Sequence, residues 1–278
     1  IDITQQKLTQ QLLQDTNAEL ERRVAARTAE LQKTIAALHR ANAGKDAFMA
    51  VVSHELRTPL TGILTMSEVL QNQSREPLTP RQARYVATIR ASGERLLKTV
   101  NSVLLYTSLA GGKYTVQHVQ CSLAGICAES VYALRTQADA KNQLIELDIN
   151  PDTVPADLTI WSDPAALSQI LHILLDNAVK FTPEGGTIGI QARRPDGDAV
   201  CISVWDTGIG ITPEQQAHLF DPFTQVDQTL ARPFEGLGIG LASAQQLTAL
   251  LGGHIAVQSE PGRGARFTVT LPVMPAEI

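Results

Sequence analysis

The first 110 or so residues carry long apolar stripes at helical spacing, interrupted before residue 80 only by Pro59 and Pro77. Phe48, Val52, Leu56, Pro59, Ile63, Met66 and Leu70 fall within about 80° of one another at 100° per residue, the mark of an amphipathic helix. A second helix is predicted from Pro80 to Leu109, with proline in its first turn. Along it Tyr85, Ile89, Leu96, Val100 and Val103 form one stripe, and Val86, Leu97 and Leu104 form another beside it. The polar run Asn72 to Thr79 reads as the turn between the two. Two helices cannot enclose such stripes by themselves. A homodimer, in which two hairpins make one four-helix bundle, is the economical arrangement. Upstream, Leu13, Leu20, Val24, Leu31 and Leu38, with Asn17 and Arg27 on the same line, form an imperfect heptad of the coiled-coil kind. The chain opens at Ile1 rather than methionine, so an upstream part is expected to feed this coil.

Gly111-Gly112 closes the helical half and reads as a hinge. Beyond Tyr114 strands alternate with helices. Strands are predicted at Thr115 to Cys121, Gln143 to Ile149, Leu158 to Ser162, Gly186 to Arg193, Ala199 to Asp206, Gly253 to Ser259 and Ala265 to Leu271. Helices are predicted at Leu123 to Ala140, at Pro164 to Phe181 behind an Asp163 cap, and at Leu237 to Leu251. That order suits an α+β two-layer sandwich. At 278 residues and 44% apolar content there is material for two domains and a sizeable core. A net charge of −5 gives no reason to expect nucleic acid, and no apolar run reaches the length of a membrane span. Cys121, Cys127 and Cys201 lack CxxC spacing, so they read as small apolar residues of a reducing cytosol.

The chemistry-bearing residues fall in clusters. His54 lies about 205° from the middle of the apolar stripe on its helix and should face water. Glu55 beside it can hold one ring nitrogen protonated and leave the other nucleophilic. Thr58 lies one turn on, where a hydroxyl can orient an incoming group, and Pro59 loosens the helix there. In the second half Asn177 offers an amide oxygen suited to Mg²⁺ and Lys180 a cation suited to phosphate. Asp206-Thr-Gly208-Ile-Gly210 follows an apolar strand; its carboxylate can accept from an exocyclic amine such as adenine's. Gly236-Leu-Gly238-Ile-Gly240 leads into a helix, a backbone anion site suited to a triphosphate. The roughly 25 residues between the glycine sets, a polar and proline-broken stretch, are long for a connection and read as a mobile lid.

These stretches resemble the histidine kinases. Residues 48–63 (FMAVVSHELRTPLTGI) look like the family's phospho-acceptor motif, and 174–182 (LLDNAVKFT) like its asparagine box. DTGIGI (206–211), LFDPF (219–223), GLGIGL (236–241) and GRGARF (262–267) resemble the remaining nucleotide-site motifs in the family's order. The heptad places a coiled-coil signalling helix over 1–44, and the resemblance, which covers roughly residues 45 to 273, implies a dimerisation and phosphotransfer hairpin over 45–112 and a catalytic ATP-binding domain of the Bergerat type over 113–278. By the same token His54 accepts the γ-phosphoryl group, Glu55 assists, and Thr58 serves dephosphorylation of a response regulator's receiver domain. Asn177 holds Mg²⁺, Lys180 approaches phosphate, and Asp206 reads adenine. Gly208, Gly210, Gly236, Gly238 and Gly240 shape the lid and phosphate loop, Phe220 and Phe223 pack the lid, and Arg232 meets phosphate. The implied activity is that of an ATP-dependent protein-histidine kinase, here a cytoplasmic fragment, with an upstream sensor domain outside the chain and anchoring of the parent left open. One position departs from the pattern: Ile173 stands where the family has a second asparagine. That departure keeps open an alternative, an ATP-binding docking or phosphatase module with weak kinase activity.

Overall fold

The computed structural model describes residues 20, 22–24, 27, 28, 32, 55–72, 78–149, 159–195, 198–224 and 237–274. The chain divides into two compact units, Ile1–Val52 and Ser53–Ile278. In the first unit the described residues are helical and exposed, Leu20 and Val24 among them. Leu13, Leu31 and Leu38 of the predicted heptad lie outside the described residues, as do residues 73–77 of the predicted turn.

The second unit opens with the hairpin. Helix α1 is described over 55–72, and α2 spans Pro80–Ala110. Thr79 starts α2 with a capping box: its hydroxyl accepts the Gln82 N–H, and the Gln82 side chain accepts the Thr79 N–H in return. The two helices meet at Gly93, where a Cβ would lie 2.9 Å from Leu64 Cδ2, and Arg57 donates to Asn101 Oδ1 at 2.8 Å. Leu60, Val86 and Val100 are buried. Leu56, Ile63, Met66, Leu70, Tyr85, Ile89 and Leu96 stay between 43% and 61% exposed. The hairpin therefore leaves most of its predicted principal stripes open. Leu109 joins the core of the following α/β layers, and Gly112 turns the chain at φ +64, where glycine carries no Cβ penalty.

The α/β part runs β1 (Val119–Ser122), α3 (Leu123–Asp139), β2 (Leu144–Ile149), β3 (Thr159–Ser162), α4 (Pro164–Phe181), β4 (Thr187–Arg193), β5 (Ala199–Asp206), α5 (Pro213–Ala217), α6 (Gly240–Leu250), β6 (His254–Ser259) and β7 (Ala265–Pro272). Five strands form a sheet in the order β2-β4-β5-β7-β6, parallel at β2–β4 and antiparallel elsewhere. β1 and β3 make a separate antiparallel ladder. Alternate residues of the sheet (Ile188, Ile190, Val200, Ile202, Val204, Val269 and Leu271) are buried, as the two-residue period requires. Helices α3, α4 and α6 cover that face, making the expected two-layer sandwich. α4 is the centre of the core, with Leu167, Ile170, Leu171 and Leu174 closed from solvent. Asp163 caps it, Oδ1 accepting from the N–H groups of Ala165 and Ala166 while Oδ2 accepts from Gln117. Cys127 lies in this core, its thiol pushed up to about 12 by burial and so chemically quiet.

Three expectations need correcting. The strand predicted over Thr115 to Cys121 pairs only at Val119–Ser122, because its partner β3 offers just four residues. The helix predicted from Leu237 begins at Gly240, since Gly238 adopts φ +68 and its carbonyl accepts the Phe223 N–H at 2.9 Å. The stretch read as lid is also not all lid: α5, with its own Thr212 capping box, and residues 218–224 are built onto the sandwich.

Candidate functional site

The site gathers around the C-terminal half of α4. Ile173 Cγ2 lies 3.4 Å from where a Cβ of Gly240 would stand, so α4 touches the first turn of α6. Two turns further on, the Phe181 carbonyl lies 2.6 Å from where a Cβ of Gly208 would stand. One helix thus supports both glycine loops. Asn177, half-buried, sits one turn from each contact, and Lys180 lies 4.9 Å from the Phe181 ring centroid. The end of α4 is held by two side chains. Lys141 Nζ donates to the Val179 carbonyl at 2.7 Å, and Gln143 Nε2 donates to that of Thr182 at 2.7 Å.

Asp206 ends β5, where the strand hands over to the loop. Its Oδ1 accepts the Gly208 N–H at 2.8 Å, and the Ala265 N–H also bonds the carboxylate. Burial pushes this carboxyl above its ordinary value, while the two backbone amides pull it back; burial prevails. A half-dry carboxylate fixed by two backbone donors is a preorganised acceptor. Glycine is required at two points of the loop. A Cβ on Gly208 would strike the Phe181 carbonyl, and one on Gly210, at φ +70, would come within 2.0 Å of the Glu260 carbonyl. On the other side of the site α6 begins at Gly240 behind Ile239, which supplies no side-chain cap, so among the described residues its first N–H groups meet no side-chain acceptor and suit an anion.

The lid-base aromatics diverge. Phe220 packs against the core, whereas Phe223, at φ +64, is 66% exposed and meets Tyr106 of α2 edge-on at 5.9 Å between ring centroids. A second contact with α2 joins Lys98 Nζ to Asp176 Oδ1 at 2.8 Å. His172, one turn before Asp176, is held below its ordinary value by burial; Asp176 opposes this and Lys98 adds to it. On α1 Glu55 and Thr58 are exposed. His54, Arg232 and Gly236 lie outside the described residues.

Sequence reasoning passed over Ser259, Gln216 and the backbone of residues 264–265. The Ile211 N–H donates to Ser259 Oγ at 2.9 Å, and the Ile211 carbonyl accepts from Gln216 Nε2 at 2.9 Å. A Cβ on Gly264 would fall 1.9 Å from the Asp206 carbonyl. The closing glycine motif therefore forms the floor of the Asp206 loop. Nothing in its spacing pointed to the loop some 55 residues earlier, apart from glycines in an ordered turn.

Residues 45–112 match the family model described as His Kinase A (phospho-acceptor) domain, and residues 162–275 match that described as histidine kinase-, DNA gyrase B- and HSP90-like ATPase. The circadian input-output histidine kinase CikA of Synechococcus elongatus is 41% identical over 260 residues, 94% of this chain and 34% of the relative. The sensor histidine kinase RcsC of Escherichia coli is 36% identical over 247 residues, 89% of this chain and 25% of the relative. The chain thus spans about a third or less of the length of these curated relatives. Among solved structures, full-length ShkA in complex with AMPPNP is 35% identical with a TM-score of 0.67, covering 83% of this chain and 46% of that one. The histidine kinase AdeS of Acinetobacter baumannii, at 20% identity and a TM-score of 0.54, shares the fold over 79% of this chain and 98% of that one.

Proposed function

We propose that this chain, which belongs to the histidine kinase family and carries both its phospho-acceptor and its ATP-binding domain, phosphorylates itself on His54 from Mg-ATP and passes the group to an aspartate of a response regulator. One arrangement carries this reading: a carboxylate fixed by two backbone amides and two glycine loops, all assembled around Asn177 on a single helix. Asp206 accepts the exocyclic amine of adenine. The uncapped start of α6 and Lys180 take the phosphates, with Arg232 joining from the lid. Among the described residues no cluster of three or more histidine, cysteine or acidic side chains could cage a metal. The hard amide oxygen of Asn177 fits Mg²⁺ and would hold it beside the phosphates. When bound it neutralises charge between the phosphates.

In the transfer an imidazole nitrogen of His54 attacks the γ-phosphorus, the bond to the bridging oxygen breaks, and ADP leaves. Glu55 takes the proton from the other ring nitrogen, and Thr58 orients water when the regulator is later dephosphorylated. The reading divides the chain into a signalling coil over 1–44, a dimerising hairpin over 45–112 and an ATP-binding domain over 113–278. The hairpins of two copies make the four-helix bundle, and Gly111-Gly112 lets the ATP domain swing toward His54. Among the described residues no helix is long and apolar enough to cross a membrane. The test is incubation with ATP labelled at the γ-phosphate. Acid-labile, base-stable label should appear on the chain and vanish in His54→Gln; label that survives this substitution refutes the acceptor assignment.

A second reading, a regulator-docking phosphatase with weak kinase activity, draws on Ile173, whose hydrocarbon faces Gly240 at the phosphate loop. Ile173→Asn sorts the two. A rise in autophosphorylation of about tenfold, on the order of one charge-assisted contact, favours the weak-kinase reading. An unchanged rate favours the first.

A further inference from the structure

The Asp206 loop is held at its far end by a relay of hydrogen bonds that leads back to the Asp206 carboxylate. The peptide at Ile211 is gripped on both sides, its N–H by Ser259 Oγ at 2.9 Å and its carbonyl by Gln216 Nε2 at 2.9 Å. Ser259 Oγ donates its one proton to the Gly264 carbonyl at 2.6 Å, so accepting from Ile211 uses a lone pair. The second Gln216 amide hydrogen goes to the Ser259 carbonyl at 3.0 Å. Gly264 in turn packs its backbone on Asp206, where a Cβ would fall 1.9 Å from the Asp206 carbonyl, and the Ala265 amide beside it pairs with the carboxylate. The Gly262 N–H adds a bond to the Ile209 carbonyl at 2.7 Å. Ser259, Gln216 and Ile211 are all partly buried, where such bonds reinforce one another.

We propose that Ser259 and Gln216 are positioning residues for base recognition: they aim the Asp206 carboxylate and thereby set the preference for adenine over a 6-oxo purine. The inference rests on the reading of Asp206 as the acceptor for the adenine amine. The chemistry separates direction from mere stability. ATP presents an amine at C6, which needs an acceptor at a fixed place, whereas ITP presents a carbonyl that gains nothing from a carboxylate. Slackening the relay therefore weakens ATP and spares ITP. Because Gln216 stands on α5, the base of the lid is part of the same clamp.

The experiment measures the dissociation constants of Mg-ATP and Mg-ITP by calorimetry on the 278-residue chain. Ser259→Ala and Gln216→Glu, the latter keeping size while replacing the donor with an acceptor, should each weaken ATP about five- to tenfold and ITP less than about twofold. Ser259→Thr, which keeps the hydroxyl, should stay near the unsubstituted chain and guards against a variant that merely misfolds. Equal losses for both nucleotides, or no loss for either, overturn the clamp. Asp206→Asn separates the two levels. If it abolishes discrimination while the Ser259 and Gln216 variants keep it, only the clamp fails. If discrimination survives in Asp206→Asn, the reading of Asp206 itself fails and the clamp falls with it.

Discussion

The two regions of the second unit solve burial in opposite ways. In the ATP-binding part, α3, α4 and α6 close over one face of the sheet, and Leu167, Ile170, Leu171, Ile188, Ile190 and Ile202 have no exposed surface left. In the hairpin α1 and α2 meet at Gly93 against Leu60 and Leu64, while Leu56, Ile63, Met66, Leu70, Tyr85, Ile89 and Leu96 stay exposed. One region supplies both sides of its own core. The other supplies one side, and in the proposed four-helix bundle a further copy would supply the second, which would make its stability depend on protomer concentration. Under the proposed function this division would serve signalling: the nucleotide site needs rigidity, while a bundle shared between chains could repack without unfolding the site.

The largest effect is expected from attacking the open side. Met66→Glu combined with Ile89→Glu places charges on exposed apolar positions of α1 and α2, and self-association should weaken by at least about a hundredfold in sedimentation. Melting of the ATP-binding part should be unchanged; a dimer that persists would break the comparison. Next comes the closed side. Leu171→Ala should cost about 2–5 kcal/mol of ATP-domain stability in denaturant titration and leave association as it was. The smallest effect sharpens the contrast inside the site. Burial raises the folded pKa of Asp206 above its ordinary 3.8, so the folded state keeps this proton longer than the unfolded one. Stability conferred by the neutral acid is therefore lost as pH rises from the ordinary value through the raised one. Asp206→Asn, which never ionises, should gain melting temperature relative to the unsubstituted chain as pH climbs from about 4 to about 7 without nucleotide. A difference that stays flat across that range contradicts the assigned shift.

Much of this was legible because it is local. Asp163-Pro164 announces α4 by cap and first-turn chemistry, and β5 appears at its predicted bounds because its period-two pattern is unbroken. The hairpin stripes called for a partner, and the structure leaves most of them open. What failed depends on distant contacts. The start of α6 is decided by Gly238 bonding to Phe223, and the length of β1 by what β3 can offer. The Ser259 relay joins residues about 45 to 55 positions apart, and no periodicity encodes such a meeting. His54, whose motif is the most specific in the sequence, lies outside the described residues and was legible only as sequence.

The bridge between Lys98 and Asp176 has a consequence of its own. Lys98 is more than half exposed, so the pair contributes about 0–1 kcal/mol, weak enough for thermal motion to open it often. Its carboxylate stands immediately before Asn177 in the chain, so breaking the pair changes the charge felt beside that amide. Coupling free energies are symmetric: whatever a shift of α2 does to nucleotide affinity, nucleotide does in return to the favoured position of α2. If the proposed coupling holds, the Lys98 end of α2 would therefore report occupancy as well as command it, and the traffic along α2 would run both ways.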